Sequence, residues 1–262
     1  MSTLKILQLT DLHILPHAGA TLLGVDPEYY FAQVLDAAHT RHGSFDLIVL
    51  TGDLGQDPGP DSYRRIADRL QRYASPCLFL PGNHDDWPLM QTELNRNQLS
   101  CGKHRLFPHW QIIGLNSQKP GYPGGYLADA ELLFLNATLE TCNLPAVLAV
   151  HHHCVASGSP WMDTMMIENG EELLQIAARF PQVKAITCGH LHQEMAKHYR
   201  GIQIVSAPAT CVQFKPGATE FELDVKPPGY RVFELYDDGT LKTVCYRIDA
   251  EQPELRLDLK SY

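Results

Sequence analysis

Residues 4–13 read Leu4-Lys5-Ile6-Leu7-Gln8-Leu9-Thr10-Asp11-Leu12-His13, a short apolar run that stops at a carboxylate and an imidazole two positions apart. A run this short suits a buried strand better than a helix, which needs ten or more residues. The same phrase recurs down the chain. Run 47–50 leads into Gly52-Asp53, run 77–80 into Gly82-Asn83-His84-Asp85, run 146–150 into His151-His152-His153, and run 184–188 into Gly189-His190-Leu191-His192. A further run covers 111–115. Between them, 29–39, 61–73, 130–139 and 171–180 carry apolar residues at helical spacing, with Pro60-Asp61 and Glu168-Asn169-Gly170 as helix starts. Strands alternating with helices predict an α/β architecture built from crossover units.

After Gly201 the texture changes. Runs at 202–205, 211–214, 221–225, 231–236 and 243–248 read as strands, and Asp237-Asp238-Gly239 reads as a hairpin turn. A mostly antiparallel sheet is expected to close the domain. There is no internal repeat and no linker-like segment, so residues 1–262 read as one domain.

Composition narrows the function. A chain of 262 residues with 44% hydrophobic and 19% charged residues can bury a full core. A formal net charge of -9 argues against a general grip on nucleic-acid backbones, which needs a basic footprint. An anionic small molecule would need local positive charge, and bound metal ions are one source. The seven cysteines are an odd number, and Cys77, Cys188 and Cys245 lie in apolar runs, as reduced core residues do. The amino terminus has no signal-peptide pattern, and no apolar run approaches the ~20 residues that span a bilayer. A cytoplasmic protein without a membrane partner is expected. No coiled-coil pattern indicates an oligomeric state.

Each polar cluster lies just past the carboxyl end of an apolar run, the edge where open α/β sheets bind ligands. Taken singly, Asp11 is an ordinary turn residue, Gly52-Asp53 and Gly82-Asn83 are ordinary turn pairs, and the histidines are ordinary loop residues. It is the recurrence at strand ends that argues for a shared site. Asp11, His13, Asp53, Asn83, His151, His190 and His192 offer oxygen and nitrogen donors, suited to manganese, iron(II) or zinc. No cysteine falls in any cluster, which speaks against a structural thiolate zinc site. Seven donors exceed what one ion needs and suit two ions sharing a carboxylate. The glycines before Asp53, Asn83 and His190 permit tight turns beside the ions.

These motifs resemble those of the calcineurin-like metallophosphoesterase superfamily: D-x-H, G-D, G-N-H-D/E, a His after a strand, and G-H-x-H, all present in order between Asp11 and His192. A narrower resemblance is to the bacterial class III 3′,5′-cyclic AMP phosphodiesterases, carried by 8–13, 51–54 and 81–85. Leu22-Leu23-Gly24-Val25, residues 210–216 and Pro228-Gly229-Tyr230-Arg231 extend it over nearly the whole chain. The resemblance implies a four-layer αββα sandwich with a di-metal site at the carboxyl ends of the strands. It implies one metal on Asp11, His13 and His192, the other on Asn83, His151 and His190, and Asp53 bridging both. Iron or manganese would be bound, with zinc a third option. A metal-bridging hydroxide would attack phosphorus, and His84 would act as general acid on the leaving oxygen, converting 3′,5′-cyclic AMP to 5′-AMP. His13, Asp53, Asn83, His84, His151 and His192 would border the bound cyclic nucleotide.

Two positions depart from the superfamily pattern. His152-His153-Cys154 follows His151 where prolines are frequent, so a slip of the ligand to His152 is an alternative. Gln56 occupies the position of an Asp held to steady the acid His, with Asp57 next, so the sequence leaves open what orients His84. His152 and His153 otherwise read as packing or hydrogen-bonding residues, and His17, His39, His42 and His109 as surface. Met165-Met166 beside Trp161 reads as core or lid packing, with a base pocket as the alternative. Lys215, in Phe214-Lys215-Pro216, either meets a phosphate or sits in a turn. Competing functions are a metallophosphoesterase acting on another nucleotide or phosphoester, and a non-catalytic scaffold of the same fold.

Overall fold

The computed structural model describes residues 3–96, 98–259 and 261. Its first sheet grows from β1 (Thr3–Leu9), α1 (Pro27–His42), β2 (Leu47–Thr51), α2 (Pro60–Gln71), β3 (Cys77–Leu80), α3 (Trp87–Leu94) and β4 (Leu99–Ser100). Strands β1 to β4 are parallel neighbours. The second sheet begins with β5 (His104–Leu106) and β6 (Gln111–Gly114), then α4 (Asp129–Thr141), β7 (Ala146–Ala149), α5 (Gly170–Arg179) and β8 (Val183–Cys188), with β6, β7 and β8 parallel. The buried faces of α1 and α2 pack with one face of their sheet, and those of α4 and α5 with one face of theirs, as short right-handed crossovers would place them. The sheets meet through their other faces, giving the αββα order that the family resemblance implied.

Side-chain alternation builds this sandwich. Ile6, Leu47, Val49, Leu78 and Leu80 of the first sheet pack with Ile112, Val147, Ala149, Ala185 and Val205 of the second, around Trp110. Their neighbours Leu7, Leu9, Ile48, Leu50, Phe79, Leu148 and Ile186 belong to the larger core, which includes the buried helix faces. Both faces are covered, so the strands read as continuous apolar runs. Truncating a side chain such as Leu78 to Ala would cost about 2–5 kcal/mol. Helix α1 starts where the sequence provides a cap: Asp26 accepts from the backbone N–H groups of Glu28 and Tyr29, and Pro27 follows.

Polar side chains also span the layer between the sheets. Gln8 donates to Thr51 Oγ1 (3.0 Å) and to the Cys188 carbonyl (2.9 Å), and accepts from Thr187 Oγ1 (2.6 Å). Its cross-strand neighbour Arg231 donates from Nε and Nη2 to the Ser206 carbonyl, at 3.0 and 2.8 Å. Both link the first sheet to the second, and Gln8 does so one turn of chain below Asp11.

The strands of the closing segment pair mostly antiparallel but do not form one closing sheet. They are β9 (Met195–Tyr199), β10 (Ile202–Ser206), β11 (Gln213–Phe214), β12 (Leu223–Asp224), β13 (Gly229–Tyr236) and β14 (Leu241–Arg247). Apart from a two-stranded ribbon they join the two main sheets. β13 and β14 extend the first sheet antiparallel from β1, β10 joins β8 in parallel with β9 at its edge, and β11 with β12 forms a small ribbon. Val232 and Phe233 are both buried, as are Ile204 and Val205, so these strands need cover on both faces. His39 and His42, read as surface residues, are half-buried. His39 stacks on Tyr73 with ring centroids 4.0 Å apart, and His42 meets Tyr246 at 4.6 Å. The seven cysteines are free. Among the described residues, no helix is long and apolar enough to cross a membrane.

Candidate active site

The strand ends deliver the five clusters to one place. Asp11 and His13 follow β1, Asp53 follows β2, Asn83 and His84 follow β3, His151 follows β7, and His190 with His192 follow β8. The loops interlace through backbone groups. Asp11 N–H donates to the Gly52 carbonyl (3.0 Å) and His13 N–H to the Asp53 carbonyl (2.9 Å). The Asp53 carboxylate accepts from His84 N–H (2.9 Å), and that of Asp11 from His190 N–H (3.0 Å). A side chain at Gly82 would put its Cβ 2.1 Å from Asp53 Oδ1, and one at Gly52 would lie 2.4 Å from His151 Nδ1. Only glycine lets these turns close so tightly.

Backbone strain concentrates in the same loops. Asp11, His13, Asp53, His190 and His192 all take left-handed φ values between 48° and 64°. Each such non-glycine residue costs roughly 1–3 kcal/mol and persists only where surrounding structure holds it. Asp85 supplies part of that hold. It accepts from the N–H groups of Leu54, Gly55 and Gly82 and from the Tyr63 hydroxyl, at 2.9–3.1 Å. Gln118, which the sequence gave no reason to single out, donates to the Gly82 and Asp85 carbonyls.

The hydrogen bonds fix which ring nitrogens face inward. His151 Nδ1 donates to the Thr51 carbonyl (2.6 Å), His192 Nδ1 to the Val212 carbonyl (2.8 Å) and His13 Nδ1 to Gln56 Oε1 (2.6 Å). A carbonyl oxygen only accepts, so in each neutral ring the lone pair is on Nε2. Those lone pairs converge. His13 Nε2 lies 3.0 Å from His192 Nε2, and His151 Nε2 lies 3.2 Å from Asn83 Oδ1 and 3.3 Å from Asp53 Oδ2. Acceptors this close repel unless a proton or cation sits among them. His190 Nε2 is buried without a hydrogen-bond partner. Burial and the neighbouring imidazoles of His152 and His151 hold His190 well below the usual histidine range, and burial takes His13 to about 3, so both rings stay neutral. Burial works to raise the Asp53 carboxyl, yet His151 and His84 outweigh it and hold it well below the carboxylate range. Burial works to lower His151, but Asp53 raises it to about 9, which marks this spot as one that attracts positive charge.

Overlapping donor sets, Asp11–Asp53–His151, His13–Asp53–His84 and His151–His152–His190, each lie within 4.8 Å. The oxygen and nitrogen donors, the facing acceptors and the orphaned His190 nitrogen fit divalent cations. A fourth set, His13–His192–Cys211, corrects the reading that no cysteine joins the clusters. Cys211 was missed because it arrives from the closing segment. Its thiol donates to the Asp11 carbonyl (3.1 Å), and burial pushes it up, so it remains protonated.

Both departures from pattern have a visible structural setting. His151 faces Asp53 and Asn83; His152, which shares a donor set with His151 and His190, pairs through Nδ1 with Ser117 Oγ (2.9 Å), and His153 Nε2 pairs with Asp163 Oδ1 (3.3 Å). His84 Nδ1 donates to the Gln56 backbone carbonyl (3.2 Å), while the Gln56 side chain holds His13. Asp57 is exposed. Beside the cluster opens a cavity of about 340 Å³, with Asn83, His84 and His190 at one end and Tyr122, Trp161, Met165 and Phe214 lining the rest. Trp161 and Met165 therefore form cavity wall as well as packing. Lys215 pairs with Glu222 at the protein surface.

Two facing sheets with oxygen and nitrogen donors gathered at their carboxyl edges define a metallophosphoesterase, and the chain belongs to the calcineurin-like phosphoesterase family, whose model matches residues 4–194. Among characterised relatives it is 39% identical over 251 residues to the 3′,5′-cyclic adenosine monophosphate phosphodiesterase CpdA of Haemophilus influenzae, covering 95% of this chain and 92% of that one. The protein of the same name from Escherichia coli K12 is 40% identical over 247 residues, covering 93% and 90%. In fold, the chain is similar to a dimetal phosphatase from Danio rerio, with a TM-score of 0.64 at 12% identity over 88% of this chain and 95% of that one. It is also similar to a purple acid phosphatase from yellow lupin, with a TM-score of 0.66 at 13% identity over 96% of this chain and 52% of that one.

Proposed function

We propose that the protein is a metal-dependent phosphodiesterase that hydrolyses 3′,5′-cyclic AMP to 5′-AMP. The observation that carries this reading is the inward convergence of His13, His151, His190 and His192 nitrogens on Asp11, Asp53 and Asn83, at one end of a cavity of nucleotide size. The named activity of relatives that match 93–95% of this chain supports the choice of substrate.

Asp11, His13 and His192 would hold one cation, Asn83, His151 and His190 the other, and Asp53 both. Two such ions supply charge neutralisation on the phosphoryl oxygens and activation of a water at neutral pH. A water oxygen adds to phosphorus, the bond from phosphorus to the 3′-oxygen breaks, and the 3′-oxygen takes up a proton. His84 lines the cavity, and its Nδ1 is committed to the Gln56 carbonyl, so Nε2 is the atom that delivers the proton. The Gln56 carbonyl thus orients the acid, and the Gln56 amide orients a ligand. The whole of 1–262 acts as one catalytic unit in this reading, because β13 completes the sheet that carries Asp11.

The test is a substrate panel with iron, manganese or zinc supplied singly after anaerobic purification. Turnover of cyclic AMP that needs metal and exceeds that of a generic aryl phosphodiester is expected. A cyclic AMP rate no better than the generic ester's would overturn the assignment in favour of another phosphoester substrate, and no metal-dependent hydrolysis of any ester would favour a scaffold.

A further inference from the structure

Resting on the assignment of a cyclic-nucleotide substrate, we infer that Tyr122, Trp161 and Met165 form a stacking platform that holds the nucleobase by its face, and so set the preference for purines. The cavity has two chemically distinct ends. Asn83, His84 and His190 fix where phosphorus must sit. The remaining lining, Gly121 to Pro123, Trp161, Met162, Met165 and Phe214, contains no carboxylate, carboxamide or cationic side chain. A ligand tethered at the phosphoryl end therefore meets aromatic rings and thioethers at the other. Such a surface recognises a flat π-face, because stacking and sulfur–aromatic contact need no hydrogen-bond register.

The two walls come from different parts of the chain and are pinned to each other. Tyr122 follows β6, whereas Trp161 and Met165 belong to the turn at Met162–Met165 between β7 and α5. Gly125 N–H donates to the Met166 carbonyl (3.1 Å), Glu168 N–H donates to the Gly125 carbonyl (2.8 Å), and Lys119 bridges to Glu168 (2.6 Å). Trp161 is further braced edge-to-face by Phe214 at 5.3 Å, and Phe214 itself stacks on His192 at 4.0 Å. The platform is thus built onto the cation site. Asp163 sets the Trp161 turn by accepting from Ser157 N–H and Oγ (both 2.7 Å) and Gly158 N–H (3.2 Å).

Recognition by face favours the larger ring system and reads the base edge weakly. Adenine and guanine should be handled alike, and uracil worse than either.

The experiment measures kcat and KM of the metal-loaded protein for cyclic AMP, cyclic GMP, cyclic UMP and an abasic ribose 3′,5′-cyclic phosphate. Quenching of tryptophan fluorescence by 5′-AMP against ribose 5-phosphate gives a binding readout independent of turnover. Trp161→Ala should raise KM for cyclic AMP roughly five- to hundredfold and leave kcat/KM for the abasic ester within about twofold. Trp161→Phe should restore KM while losing the quench, and Tyr122→Ala should act in the same direction as Trp161→Ala. An unchanged cyclic AMP KM in Trp161→Ala, or an equal loss on the abasic ester, would overturn the platform. Failure of the wild type on every cyclic phosphate with base-dependent quenching intact would sink the substrate assignment and leave the platform standing. Loss of that base dependence would sink the platform.

Discussion

The two ends of the cavity are built by opposite strategies. At the cation end, Asp11, His13 and His151 are wholly buried, Asp11, His13 and Asp53 are held at left-handed φ, and the rings of His13, His151 and His192 are each oriented by a second hydrogen bond. At the far end, Tyr122 is 45% exposed and Trp161 half-buried, and they are held by ring contacts and loop-to-loop bonds. The difference follows from what each end must do. Orienting acceptors toward a cation tolerates errors of tenths of an ångström, so every group is over-determined. A π-face accepts a base over a range of positions, and looser walls suffice.

Substitutions should separate the two ends. The largest effect is expected from Asp53→Ala, which removes the carboxylate proposed to be shared by both ions: elemental analysis should show loss of bound metal, and activity should fall further than in any variant below. A chelator should produce the same loss in the wild type, reversed by added metal. His84→Ala should lower kcat for cyclic AMP by about 10²–10⁴ with metal content intact. Its effect should be smaller on an ester with a p-nitrophenolate leaving group, which departs without a proton; equal losses on both esters would argue against the acid role. Gln56→Ala removes the acceptor that orients His13 and should weaken metal binding about 10–100-fold, read by titration of the metal-free protein. Gln8→Ala leaves Thr51, Thr187 and Cys188 short of partners in the interlayer and should cost about 1–3 kcal/mol in denaturant unfolding. Smallest of all, Asp57→Ala should change neither stability beyond about 0.5 kcal/mol nor turnover, since Asp57 is exposed and the Gln56 carbonyl serves His84.

The cation end was legible in the primary structure because its chemistry is local to each strand terminus. An apolar run followed by Asp11-Leu12-His13 states both the strand and the donors it delivers, and parallel sheets with both faces covered leave few places for such termini to go. The second role of Gln56 was not legible, since it depends on a carbonyl and an amide of one residue pointing at different rings. Trp161 and Met165 were ambiguous for a different reason: aromatic and thioether side chains look the same in a core as in a cavity wall. The strands of the closing segment were visible as apolar runs, but pairing is a long-range property. Val232 and Phe233 say that both faces are covered without saying by what. β9 was missed because Ala196, Lys197 and His198 are exposed on an edge and carry no apolar run.

The donors are divided between layers, with Asp11, His13, Asp53 and Asn83 riding on the first sheet and His151, His190 and His192 on the second. Two cations held as proposed would therefore work as a caliper on the gap between them. Any change in the apolar filling, such as trimming Val205 or Leu78 well away from the solvent edge, alters the jaw spacing and should register as altered metal affinity before it registers as altered shape.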